Sequence, residues 1–181
     1  MKNKILKTII SMLLLLSFAV SFSACGDEPE EFTGDYYNYG LHYHLPEEYQ
    51  QLTVPYSEFC YYDGNAYFYF HAYSPEELED EEVWGVEGDI SVPSFTTKFM
   101  VSYDINLSKD TYYEELDRSV IIYDWKYSST EEGEALEDEC FYHVIFRGSQ
   151  LLYVVTMSCP VSMKDTYTPI FDEWSMSLHA D

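Results

Sequence analysis

The sequence predicts an α+β fold: an antiparallel β-sheet with helices on both faces, an α/β/α sandwich that ends in an amphipathic C-terminal helix. Three observations predict it. Two pairs of aromatic or β-branched runs, Tyr56 to Tyr62 with Ala66 to Tyr73 and Cys140 to Phe146 with Leu151 to Cys159, are each joined by turn-forming residues. The second pair is apolar on both faces, which places it where both sides of a sheet are covered. Met163, Tyr167, Ile170, Phe171, Trp174 and Leu178 then recur at helical spacing. Antiparallel hairpins followed by a helix of this kind define an α+β sandwich.

The first segment stands apart from that fold. Lys2, Lys4 and Lys7 precede an apolar stretch from Thr8 to Val20, and Ser21, Ser23 and Ala24 lead to Cys25. This order is that of a secretory signal peptide. The uncharged run from Thr8 to Ala24 has seventeen residues, at the lower edge of the roughly 20 that cross a bilayer as a helix, so a retained helical anchor is the weaker reading. Phe22-Ser23-Ala24-Cys25 resembles the lipobox of bacterial lipoproteins, with Phe22 where Leu is usual. The resemblance implies cleavage before Cys25 and a diacylglyceryl thioether on its sulfur. A buried acyl methylene contributes about 0.8 kcal/mol, so two chains anchor stably where one holds marginally. Residues 1–24 are therefore expected to be a lipoprotein signal peptide, residues 25–34 an acidic tether, and residues 35–181 one domain held on the extracytoplasmic face of the cell membrane by Cys25.

Within the domain, Tyr36 to Leu45 reads as a strand element in which Asn38 to Gly40 can turn the chain. Leu41, Tyr43 and Leu45 alternate with His42 and His44, and Pro46 ends the run. Asp63-Gly64-Asn65 accepts the positive φ of a tight turn and makes the first hairpin. Ser74-Pro75-Glu76-Glu77 has the N-cap, first-turn proline and acids of a helix start. Val83 to Ser94, with Gly85, Gly88 and Pro93, reads as a loop. Phe95, Phe99 and Tyr103 recur at the spacing of one helical face, and Phe99 to Tyr103 also suits a strand. Ser119 to Ser128 alternates as a strand, and Glu131 to Glu139 is an acidic run before the second hairpin. With Gly148-Ser149 as its loop, Phe146 faces Leu151 and Cys140 faces Met157, leaving Cys159 diagonal to Cys140. Pro169 suits only a first turn, so the last helix is expected to begin near Thr168.

The chain has 9 basic and 33 acidic residues. All three basic residues of positions 1–24 leave with the signal peptide, so six basic groups would face 33 acidic ones, a formal charge of −27. Such a surface excludes nucleic acid, which requires a basic face. Nineteen Tyr, eleven Phe and three Trp supply the apolar area that a disordered acidic chain lacks. With Cys25 acylated, Cys60, Cys140 and Cys159 allow at most one disulfide, and buried free thiols are the alternative.

A turn glycine leading into a strand stopped by Leu-Pro, Gly40-Leu41-His42-Tyr43-His44-Leu45-Pro46-Glu47, occurs with a final hairpin and the helix from Phe171 to Ser177-Leu178. Together they resemble the PsbP-like proteins and small lipoproteins of that fold, across Asp35 to Leu178. The resemblance implies a PsbP-like domain and a non-enzymatic binding or assembly role. It carries no functional residue.

Candidate chemistry is sparse. His42 and His44 lie on one strand face about 7 Å apart, a spacing that suits two zinc ligands, but no further ligand is near in sequence. His71, His143 and His179 stand alone. Glu76 to Glu82 offers hard oxygens but lacks the spacing and glycine of a calcium loop. Tyr36, Tyr37, Tyr39, Tyr61, Tyr62, Tyr67 and Tyr69 crowd neighbouring strands and suggest either cross-strand packing or a glycan platform. Asp104, Asp117 and Asp124 form no recognisable acid/base pair. The chain has no Gly-x-Ser-x-Gly, His-Glu-x-x-His, phosphate loop or Cys-x-x-Cys. No catalytic or metal residue and no cofactor is assigned. The expected function is a non-enzymatic, membrane-anchored surface lipoprotein that binds an envelope protein or component, with glycan or metal-ion capture as the alternative.

Overall fold

A computed structural model describes residues 35–46, 48–54, 57–79, 91–126 and 137–181. The expected signal peptide, Cys25 and the expected tether lie outside the described residues, as do residues 80–90, which take in most of the expected loop, and most of the acidic run at 131–136. Among the described residues, ten strands and three α-helices belong to the compact unit Thr33–Asp181. A seven-stranded sheet has the order β3-β4-β5-β9-β8-β7-β6, and a three-stranded sheet has the order β1-β2-β10. Every pairing is antiparallel.

The small sheet begins with β1 (Asp35–Asn38) and β2 (Leu41–His44). Tyr39 and Gly40 both have positive φ, 50° and 77°, the signature of a two-residue hairpin turn of the primed type. Gly40 is doubly constrained, because a Cβ there would meet the Tyr153 hydroxyl oxygen at 2.9 Å. Two further strands, β4 (Ser57–Tyr62) and β5 (Tyr67–Tyr73), form the first expected hairpin. Asp63 closes its turn by accepting from the backbone N–H groups of Asn65 and Ala66 at 2.8 and 2.7 Å.

β3 (Gln50–Val54) and β6 (Asp110–Tyr113) are the sheet's edge strands, and sequence reading had no strand for either. β7 (Arg118–Trp125), β8 (Glu139–Arg147) and β9 (Leu152–Pro160) fill the sheet's centre and one side. β9 is the middle strand, and it is buried from Leu152 to Cys159. That is the coverage on both faces which its unbroken apolar sequence predicts.

The register of the second hairpin differs from expectation. Phe146 pairs with Tyr153, Val144 with Val155, Tyr142 with Met157 and Cys140 with Cys159. The loop is longer than Gly148-Ser149, because the Gly148 N–H bonds the Leu151 carbonyl at 2.9 Å and the Ser149 N–H bonds the Asp181 carbonyl at 2.7 Å. The C-terminus thus helps to set the loop, a tie that local sequence does not contain. A shift of two residues preserves side-chain parity, so each residue keeps its expected face. Cys140 and Cys159 lie directly opposite one another rather than diagonally, and both, like Cys60, are buried free thiols.

α1 (Pro75–Glu79) starts where expected: Ser74 and Glu77 cap each other, with the Ser74 N–H on Glu77 Oε2 at 2.7 Å and the Glu77 N–H on Ser74 Oγ at 3.3 Å. α2 (Val92–Ser102) takes the last residues of the expected loop. Ser91 caps it through the Ser94 N–H, and Pro93 sits in its first turn, where a missing N–H costs nothing. α3 (Lys164–Ser177) also starts earlier than expected, and Pro169 lies inside it. The first turn survives the proline because Tyr167 is buried and donates to Asp63 Oδ2 at 2.8 Å, while Phe171 and Trp174 pack beyond it. β10 (His179–Ala180) then joins the small sheet beside β2.

Alternation along the strands sorts the core into two faces. On one, α3 lays Phe171 on Tyr142 and Trp174 near Phe68, and the small sheet lays Tyr43 on Phe68 at 5.1 Å. On the other, α2 packs Phe95, Phe99 and Met100 with Ile121, Ile145, Leu152 and Val154. The fold is therefore α+β, with an antiparallel sheet, helices on both faces and an amphipathic C-terminal helix.

Candidate functional site

Among the described residues, α2 covers only part of its face. It packs on Ile121, Ile145 and Val154, of which Ile145 and Val154 are direct cross-strand partners, and toward the other end of these strands the sheet is left concave. The cavity there measures about 280 Å³. Register builds its floor: Tyr69 of β5 lies opposite Thr156 of β9, and Thr156 lies opposite His143 of β8. Tyr123 of β7 reaches His143 from the diagonal position, since Ile121 is the direct partner of His143.

These four residues form one polar chain. Tyr69 hydrogen-bonds Thr156, the Thr156 hydroxyl is 2.9 Å from His143 Nδ1, and the Tyr123 hydroxyl is 3.2 Å from His143 Nε2. Each imidazole nitrogen therefore meets an oxygen that can donate or accept, and either neutral tautomer is satisfied. Burial pushes the His143 pKa down to about 3 and also lowers that of His71 in the wall. Both are neutral at pH 7. Burial likewise raises the Tyr69 phenol to about 12.

The walls are aromatic. Phe99 stands edge-on to His143 at 5.1 Å and packs on Tyr103 at 4.8 Å, while Phe141 stacks on His143 at 5.8 Å and on Tyr123 at 5.5 Å. Tyr103 and Trp125 form the mouth, 53% and 41% exposed. Among the described residues, no Asp, Glu, Lys, Arg or Cys lines the cavity. A neighbouring depression that shares Tyr123 and Trp125 carries Asp104, Asp124, Lys109 and Lys126, two charges of each sign.

The other residues singled out by sequence lie elsewhere. His42 stacks on His179 at 4.6 Å, with its Nε2 3.2 Å from Asp181 Oδ1, so its neighbours come from the C-terminal strand. His44 is exposed. No group of His, Cys, Asp or Glu among the described residues is arranged to hold a metal ion. Asp124 pairs with Lys164 at 2.6 Å, and that partner lowers its pKa. Asp117 accepts from Tyr112 at 2.7 Å. The tyrosines expected to crowd together do not share one surface: Tyr36 stacks on Tyr43 at 5.1 Å, Tyr62 on Tyr67 at 4.4 Å, and Tyr61 is buried. Of that set only Tyr69 enters the cavity. His71 and His143, which stand alone in the sequence, also line the cleft, and the alternation of Tyr69, His71 and Tyr73 on β5 is a signal that one strand face is aromatic throughout.

No protein-family model matches the chain, and no curated protein matches it. Among solved structures, a protein of Bacteroides thetaiotaomicron is similar with a TM-score of 0.47 and 10% identity, over 78% of this chain and 45% of that one. This chain therefore spans less than half the length of that protein. The solution structure of a cyanobacterial PsbP, CyanoP of Synechocystis, is similar with a TM-score of 0.47 and 10% identity, over 88% of this chain and 99% of that one. At this level of likeness neither protein says what this chain binds.

Proposed function

We propose that the chain is a non-enzymatic binding lipoprotein, anchored through lipid on Cys25 outside the cytoplasmic membrane, with the cleft beside α2 as its ligand site. Support for the anchor is the order of basic, apolar and small residues ending at Ser23-Ala24-Cys25. The observation that carries the binding role is the aromatic cleft itself, a concave, mostly apolar site with a few convergent polar groups. Binding fits it better than catalysis. General acid/base work needs a group that titrates near the working pH, whereas His143 is held neutral inside a satisfied network and no carboxylate lines the cavity among the described residues.

Among the described residues, the cavity supports small-ligand capture, and no group of side chains is arranged for a metal ion. One experiment tests anchor and cleft together: native mass spectrometry of the protein extracted from its own membrane. The expected mass is residues 25–181 plus a diacylglyceryl or triacyl group, with a small co-purifying adduct that Trp125→Ala/Tyr103→Ala loses. An unprocessed N-terminus overturns the lipid anchor, and an adduct retained by the double variant overturns the cleft.

A further inference from the structure

We propose that the head of the ligand held in this cleft is a small organic cation of the quaternary-ammonium class. The proposal rests on the cleft being the ligand site and adds the ligand's chemistry. Aromatic rings dominate the walls, and the ring face is the negative end of the aromatic quadrupole. A cation within about 6 Å of such a face is attracted, most strongly by Trp, and the attraction grows as water is excluded. Trp125 and Tyr103 at the mouth and Phe99, Phe141 and Tyr123 within supply rings from two strands and a helix end.

The polar groups of the floor point to the same class. A neutral sugar is gripped through many hydroxyls at once, which calls for free donors and acceptors, and here the Thr156 and Tyr123 hydroxyls are already engaged with the two nitrogens of His143. A methylated ammonium asks for no hydrogen bond, so it leaves that network intact. An anion is disfavoured, because no Lys or Arg among the described residues lines the cavity and the whole chain carries a formal charge of −24. That charge raises the local concentration of cations around the protein. The adjoining depression is balanced in charge, so the preference comes from the rings and the overall field rather than from a local carboxylate. Size agrees as well: at about 280 Å³ the cavity sits at the small end of ligand pockets, which begin near about 300 Å³, enough for one compact headgroup.

The test uses the intact lipid-anchored protein in phosphatidylglycerol nanodiscs, which contain no choline. Calorimetric titrations compare choline with 3,3-dimethylbutan-1-ol, its uncharged carbon analogue of the same shape, and with N-acetylglucosamine. Choline is expected to bind at least ten-fold more tightly than either neutral probe, and Trp125→Ala to weaken it about ten-fold without altering the melting temperature. If a neutral probe binds as well as choline and Trp125→Ala still weakens it, the cationic class is overturned and the cleft stands as the site. If choline binds equally to the parent and to Trp125→Ala/Tyr103→Ala, or to neither, the inference falls, and in the first case the cleft assignment falls with it.

Discussion

The two faces of the seven-stranded sheet use the same strands and differ in how far they are covered. On the face under α3, the helix, the small sheet and the C-terminal strand together bury Phe68, Tyr142, Phe146, Tyr153 and Phe171. On the face under α2, an eleven-residue helix covers one end and leaves Tyr69, His143 and Tyr123 lining a cavity at the other. Both faces are aromatic, so composition does not separate them. Coverage separates them: the closed face supplies stability and the open face carries the proposed ligand site.

The sharpest way to break this contrast is to damage the closed face. Phe171→Ala removes a buried ring that packs on Tyr142, Tyr167 and Trp174, and truncations of this kind cost about 3–5 kcal/mol. Urea unfolding should show that loss, while ligand affinity of the folded fraction stays unchanged. A second variant targets Arg118, the one charged side chain buried there among the described residues. Arg118 reaches across to the end of α3, donating to the carbonyl oxygens of Ser175 and Leu178, the latter at 2.7 Å, with its guanidinium 4.8 Å from the Phe146 ring centre. It serves as the C-terminal cap that Leu178 does not provide. Arg118→Met should cost about 2 kcal/mol, the scale of hydrogen bonds to a charged group, and should speed amide exchange in the last turn of α3.

These elements also show what the chain reveals in advance. The closed face was legible because its pattern is local: the i, i+4, i+7, i+8 spacing from Met163 to Trp174 names a helix, and Asp63-Gly64-Asn65 names a turn. β3 and β6 escaped because edge strands are short and polar, as Gln50-Gln51 and Asp110-Thr111 are, and carry little alternation. The early start of α3 and the two-residue shift of the β8–β9 register depend on distant partners, Asp63 for Tyr167 and the Asp181 carbonyl for Ser149. The cleft was the least legible feature. Its floor takes one residue from each of four strands, Tyr69, Thr156 and His143 in a lateral row and Tyr123 on the diagonal, and such a set exists only once register is known.

A smaller effect sharpens the comparison from the open face. Burial lowers the His143 pKa from 6.5 to about 3, so as pH falls below 6.5 the unfolded chain takes up the proton before the folded chain does. The stability His143 contributes is complete above pH 6.5 and drains as pH falls toward about 3. Because one proton is involved, the slope from this group is at most about 1.4 kcal/mol per pH unit. His71 shifts in the same direction. Urea midpoints measured between pH 7 and 4 should fall more steeply for the parent than for His143→Phe, and equal slopes would show that His143 is not held neutral by the fold. The smallest effect belongs to the mouth. Trp125→Ala and Tyr103→Ala remove partly exposed rings, so each should change stability by no more than about 0.5 kcal/mol, measured by thermal unfolding, while weakening capture about ten-fold.

The division of labour between the faces is tested most directly by an ¹⁵N chemical-shift titration of the protein with choline. The account predicts saturable shifts at the Trp125 indole N–H and at the amides around Tyr69, Tyr123, His143 and Thr156, with Phe68, Phe171 and Trp174 unmoved. Saturable shifts centred on the closed face, or no shift at the Trp125 indole as the ligand saturates, would contradict it.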